Sequence, residues 1–227
     1  MTSSAPEPLP MAGPSADAAH DDGGHTEGNG RKRPKPGERR VQILQALATM
    51  LEQPGAERVT TAALAARLEV SEAALYRHFA SKAQMFEGLI EFIEQAVFGL
   101  VNQLGEREPD AMARSRKLVT LLLQFGEKNP GMTRVMVGDA LVFENERLQQ
   151  RMNLFFDKIE SALRQNLREA AVVAGATTPT VDAQADASVV TAFCVGRLQR
   201  FARSGFKRSP SESLEHSLAL LLPGAHL

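Results

Sequence analysis

The segment Thr60–Lys82, TTAALAARLEVSEAALYRHFASK, limits what this chain can fold into more than any other stretch. It reads as two short helices joined by a tight turn, then an aromatic and basic hinge into a third helix. Leu64, Ala65 and Leu68 share one helical face, and Val70 plugs the turn. Ser71 stands where an N-cap belongs, and Glu72 in the first turn suits the positive end of the helix dipole. The helix that follows, through Ala74, Leu75, Tyr76, Arg77 and His78, is only about two turns long. An alanine-rich helix that short is poor core material. Its small side chains instead allow the close approach that insertion into a DNA major groove requires.

Charge supports that reading through its placement. The formal net charge of the 227 residues is only −1, which would argue against nucleic acid if it were evenly spread. Residues 1–30 hold five acids (Glu7, Asp17, Asp21, Asp22, Glu27) and no Lys or Arg. Residues 31–82 hold ten Lys or Arg against five Glu. The positive charge therefore sits with the helix-turn-helix, where phosphate contacts need it. A solvated face with a chance excess of arginine is the plainer alternative.

Other classes are disfavoured. No apolar run reaches the roughly 18 residues of a membrane span, and the N-terminus lacks a hydrophobic signal segment. The single cysteine, Cys194, cannot form an internal disulfide, so a cytoplasmic location is expected. His20 and His25 have no Cys or His partner at ligand spacing, so no metal or other cofactor is expected. No nucleophile–base pair or glycine-rich phosphate loop points to an enzyme.

Residues 1–37 have the composition of a disordered acidic tail ending in a basic arm, RKRPKPGERR. Pro34 and Pro36 keep that arm out of the helix that follows. The arm either tracks a phosphate backbone or minor groove, or serves as a solubilising tail. Residues 38–82 form the helix-turn-helix domain and 83–227 a helical regulatory and dimerisation domain. The first helix spans about 38–53, with Val41, Leu44, Leu47, Ala48 and Leu51 in helical period, and Pro54-Gly55 stops it. Thr60 or Thr61 caps the second helix. Ser81 caps a long helix carrying Met85, Phe86, Leu89, Ile90, Phe92 and Ile93. Further helices are expected over about 110–128, 143–173, 181–206 and 214–222, with a short one after Asn129-Pro130-Gly131. No period-2 strand pattern stands out, so the fold class is all-α.

The pattern T-x-x-x-L-A-x-x-x-x-V-S-x-x-x-L-Y-x-H-F-x-S-K resembles the DNA-binding domain of TetR-family regulators. More narrowly, VSEAALYRHFASKAQMFEGLIEFIE, LLLQFGEKNPGMTRVM, ERLQQRMNLFFDKIE and AFCVGRLQRFARSGFK resemble one branch, the nucleoid occlusion factors of the SlmA type. The resemblance implies a nucleoid-associated dimer that binds specific, palindromic chromosomal DNA sites. It also implies antagonism of the division protein FtsZ through that protein's acidic and hydrophobic C-terminal tail. One departure is Glu69, where the family's turn usually carries glycine. If its φ is positive, a side chain there costs on the order of 1 kcal/mol.

Three sets of residues follow. For DNA, Thr60 and Thr61 offer hydroxyls and free N–H groups to phosphate. Ser71, Glu72, Ala73 and Ala74 present the recognition helix to base edges, and Tyr76, Arg77, His78 and Lys82 contact phosphates or the groove wall. Tyr76 and Lys82 also have plainer readings, as packing and as a solvated lysine. For a partner, Phe92, Leu121, Phe125, Lys128 and Asn129 suit a groove apolar in the middle and basic at the rim; Leu121 and Phe125 are equally readable as ordinary core. For dimerisation, Phe155, Ile159, Ala192 and Gly196 lie on two long helices that would form a four-helix bundle about a two-fold axis, with higher-order assembly on DNA; a monomeric domain that buries the same faces internally is the alternative. A ligand-responsive repressor with a small-molecule pocket among the same helices remains the alternative. An enclosed cavity would favour the repressor, a surface groove the occlusion factor.

Overall fold

The computed structural model describes residues 37–53 and 59–223. The expectations placed on the acidic tail, the basic arm before Gly37 and the Pro54-Gly55 stop lie outside the described residues. The elements are α1 (Glu38–Leu51), α2 (Thr61–Arg67), α3 (Glu72–Tyr76), α4 (Lys82–Arg107), α5 (Ala111–Lys128), α6 (Pro130–Met136), a 3₁₀ turn (Asp139–Leu141), α7 (Glu146–Val173), α8 (Pro179–Arg203) and α9 (Leu214–Leu221). Among the described residues there is no strand, and no helix is long and apolar enough to cross a membrane.

Polar residues just ahead of the helices set their starts. Thr60 accepts from the Ala63 N–H at 3.1 Å, Ser71 from Ala74 at 3.2 Å and Ser81 from Gln84 at 3.2 Å. Each cap satisfies a donor that the first helical turn leaves unpaired. Asp110 and Asn145 do the same for α5 and α7. Pro130 and Pro179 occupy the first turns of α6 and α8, where a missing N–H does no harm.

One continuous core runs through the chain. Its N-terminal end joins Ile43 and Leu47 of α1, Leu64 of α2, Leu75 of α3 and Phe79 to Phe86, Leu89 and Ile90 of α4. Helix α4 then carries the core onward through Ile93 and Val97 to Leu118 and Leu122 of α5, Phe155 and Ile159 of α7 and Cys194 of α8. The domain boundary expected at residue 82 thus falls at the start of a helix that belongs to both units. Burial pushes the Cys194 thiol up to about 12, so it stays protonated and acts as a small apolar core group.

The turn between α2 and α3 has a specific geometry. The Val70 N–H donates to the Ala65 carbonyl at 3.0 Å and the Glu69 N–H to Ala66 at 3.1 Å. That pair of bonds is a Schellman motif, which places the residue after the C-cap in left-handed conformation. Helices α7 and α8 end in the same bonding pattern with Gly175 and Gly205 at that position. Helix α2 instead has Glu69, at φ 54°. Removing its Cβ relieves the left-handed penalty but adds unfolded-chain entropy. Glu69→Gly is therefore expected to be more stable than Glu69→Ala by about 0.5–1 kcal/mol, read as a higher denaturation midpoint at unchanged m-value.

Candidate DNA interface and partner surface

The α2–turn–α3 unit is anchored from beneath and open above. Leu75 and Phe79 are each 1% exposed, while Tyr76 of the same short helix is 45% exposed. Thr60, Ser71, Glu72, Ala73 and Arg77 are exposed too, with Thr61, Ala74 and His78 half-buried around them. The Thr61 hydroxyl donates to the Glu72 carboxylate at 2.6 Å, fastening the start of α3 to the start of α2. The Thr60 oxygen accepts the capping bond, which leaves its hydroxyl proton to donate to a phosphate.

Arg40 of α1 fixes the far end of the unit, a role that reading the sequence missed. Its guanidinium donates to the His78 carbonyl and stacks over the Phe79 ring at 4.1 Å from the centroid. In the sequence it looked like one more charge beside a basic arm. The only available signal was its place on the polar side of the first helix.

Lys82 needs correction. Its ammonium is ion-paired with Glu144, just before α7, so it is not a free phosphate ligand. Two further pairs join the same helices: Glu87 with Arg147 at 2.5 Å and Glu94 with Arg151 at 2.5 Å. Together they hold the first half of α7 against α4, the helix that leaves the DNA-binding unit. Hydrogen bonding to Glu94 raises the Arg151 pKa above its ordinary value.

The proposed partner residues separate. Phe92 and Leu121 are half-buried and Lys128 is exposed. Leu121 and Lys128 lie seven residues apart, on one flank of α5. Phe125, at 7% exposure, is core and does not line a surface groove. The Asn129 side-chain amide donates to the Phe125 carbonyl at 2.7 Å, so its role is to finish α5. Phe125 departs because a buried and an exposed apolar flank of a helix look alike in sequence when the neighbour is unknown.

The dimer residues also divide. Phe155 and Ile159 are fully buried within a single protomer, Phe155 packing against Phe98 and Phe156 with centroids 5.3 and 5.1 Å apart. They cannot meet a second copy. Ala192 is exposed, and an added side chain at Gly196 meets nothing within 4 Å. Val181, Ala185 and Val189 precede them at helical spacing on the face of α8 turned from the core, with Val181 68% and Val189 57% exposed. These valines were missed because the core-facing side of α8 was not known.

The space between α4, α5 and α7 is filled by the buried side chains of Ile93, Val97, Leu118, Val119, Leu122, Phe155 and Ile159. A cleft of about 600 Å³ opens instead at the far ends of these helices, beside Leu104, Arg114 and Asn166. Arg114 spans part of it, bonding Asn166 at 3.2 Å, the Glu108 carbonyl at 3.1 Å and the Glu169 carboxylate.

The exposed recognition face carries the first functional test. Tyr76→Ala removes an exposed ring and leaves Leu75 and Phe79 in place. Specific DNA affinity is expected to fall by about 1–3 kcal/mol with the unfolding midpoint unchanged. Titrations of the cognate site across a salt series would check it.

Comparison with known proteins agrees with this architecture. The profile described as "Bacterial regulatory proteins, tetR family" matches residues 43–89, and "Tetracyclin repressor-like, C-terminal domain" of the SlmA-like type matches 109–224. The chain is 52% identical over 188 residues to the nucleoid occlusion factor SlmA of Vibrio vulnificus (strain YJ016), covering 82% of this chain and 95% of the relative. It is 51% identical over 193 residues to SlmA of Aliivibrio fischeri (strain MJ11), covering 83% and 96%. Among solved structures, the TetR-family regulator PfmR from Thermus thermophilus superimposes with TM-score 0.66 at 22% identity, over 82% of this chain and all of that one. The regulator FadR from Bacillus subtilis, in complex with stearoyl-CoA, gives 0.65 at 15% identity, over 82% and 99%. These two likenesses concern the fold alone.

Proposed function

This chain belongs to the nucleoid occlusion factors of the SlmA type within the TetR family, and on that premise we propose how its residues couple DNA to the division machinery. The family comprises DNA-binding proteins, not enzymes. A dimer binds palindromic chromosomal sites, with residues 38–82 of each protomer as the DNA-binding unit and 83–227 as the partner-binding and dimerising unit. Each recognition helix enters a major groove, and the two-fold axis sets the half-site spacing at about one DNA turn. The outer face of α8, with Ala192 and Gly196, joins the protomers. FtsZ docks through its C-terminal tail on the flank formed by Phe92, Leu121 and Lys128, and Z-ring assembly over the nucleoid is blocked. Several dimers on neighbouring sites make weak tail contacts act together.

The observation that carries the partner reading is the exposed Lys128, two turns from half-buried Leu121 on one flank of α5. An apolar patch with a cation at its edge fits a peptide that is both hydrophobic and acidic. Phe92→Ala and Lys128→Asp are expected to abolish inhibition of division in cells while specific DNA binding is retained. Both residues lie outside the helix-turn-helix. Loss of DNA binding together with inhibition would remove them from a separate partner surface.

A further inference from the structure

Beyond DNA and a division partner, we propose a phosphoryl-anion site where α8 ends. Arg197 and Arg200 of α8 converge with Lys207, Arg208 and Ser209 of the following loop on a cavity of about 430 Å³. Glu212 is the one acid in its lining, so four cations face one carboxylate. None of the four cations is ion-paired among the described residues. Arg197 reaches the Ser217 hydroxyl at 3.0 Å and stacks on Phe193 at 5.0 Å, which orients it without neutralising it.

The loop that brings the cations together is fixed. The Ser204 hydroxyl oxygen accepts from the Lys207 and Arg208 N–H groups at 3.1 and 3.0 Å. Ser209 and Ser211 both donate to Glu127 on the last turn of α5, so that carboxylate is occupied holding the loop. Phe206 sits at φ 64°, an uncommon conformation for a bulky residue. Its ring is held between Phe201 at 5.2 Å and the Arg134 guanidinium at 5.1 Å. The cations are thus presented by a turn whose backbone is determined from several sides.

Chemistry selects the ligand. Guanidinium forks match phosphoryl oxygens in pairs, and the excess positive charge suits a doubly or triply charged group. Every lining residue is polar or charged, so the cavity offers no anchor for an apolar peptide side chain, and its cations match phosphoryl oxygens first. The occupant is a compact diphosphate or polyphosphate, free or as the phosphate end of a nucleotide.

Calorimetric titration of the full-length protein tests this, with the helix-turn-helix saturated by its DNA site so that its own cations are covered. Inorganic pyrophosphate is expected to bind once per protomer and about tenfold more tightly than orthophosphate. The Lys207→Glu/Arg208→Glu variant, changed only in the loop after α8 and so off the proposed dimer face, is expected to abolish that heat. Arg208→Gln alone, a milder change, should weaken it about threefold and keeps the test open if the double variant does not fold. A nucleoside diphosphate that binds as tightly as pyrophosphate would make nucleotides a source. One that binds more weakly would leave free polyphosphate. Absence of pyrophosphate heat, unchanged binding by both variants, or binding of an oligoglutamate peptide in place of pyrophosphate would overturn the assignment.

Discussion

Gly131→Ala is expected to destabilise this protein by about 3 kcal/mol or more, a large effect for a single added methyl group. A Cβ at Gly131 would lie 1.9 Å from the Ala48 carbonyl oxygen and 2.9 Å from its carbon. Those are backbone atoms of α1, so no rotamer change relieves the overlap. Either α1 or α6 must move, and close-packed neighbours resist it. The thermal midpoint should drop by about 6–12 °C for a chain of this size. DNA affinity should fall as well, because α1 carries the Arg40 guanidinium that holds the end of the recognition unit. Gly99→Ala is the control: nothing lies within 4 Å of its added Cβ, and helix propensity favours the change by about 0.5–1 kcal/mol. Differential scanning calorimetry of the two variants measures the contrast directly.

Gly196→Arg is expected to produce a folded monomer. Open space surrounds that position within one protomer, so the arginine can be accommodated by the subunit. In the proposed bundle it would set a large charge opposite its own symmetry mate. Separating the protomers also separates the two recognition helices. The second half-site contact then ceases to be intramolecular, and affinity for a palindromic site should fall by about a hundredfold or more. Sedimentation that shows an intact dimer would take Gly196 out of the interface.

How far the sequence reveals this molecule depends on what each feature rests upon. The caps at Ser71 and Ser81 were legible, and that of α2 was narrowed to Thr60 or Thr61, because local hydrogen-bonding chemistry sets them. The all-helical class followed from periodicity, and the unusual residue in the α2–α3 turn was visible as a glycine replaced by Glu69. Features that depend on a neighbouring helix were not legible. Phe125, Phe155 and Ile159 are apolar residues on amphipathic helices, and only the packed structure shows that their faces turn inward. Lys82 looked like a phosphate ligand until Glu144, 62 residues away, came into contact with it. Gly131 appeared as part of a helix stop, whereas its lack of a side chain permits the approach of α6 to α1.

The Lys82–Glu144 pair gives the DNA-binding unit a physical connection to α7, and α4 itself carries both Phe86, buried in the core, and half-buried Phe92 of the proposed partner surface. A shift of α4 on DNA would therefore be felt at the proposed partner surface.

Binding of a peptide carrying the FtsZ C-terminal tail to the DNA-saturated dimer tests the central claim most directly. The wild-type protein is expected to bind it, more tightly with its specific DNA site present than without. Lys128→Asp, which sets a like charge against the acidic tail, is expected to abolish that binding while DNA affinity stays at the wild-type value. No binding of the tail by the DNA-saturated wild type at any accessible concentration, or equal binding by Lys128→Asp, would contradict the account.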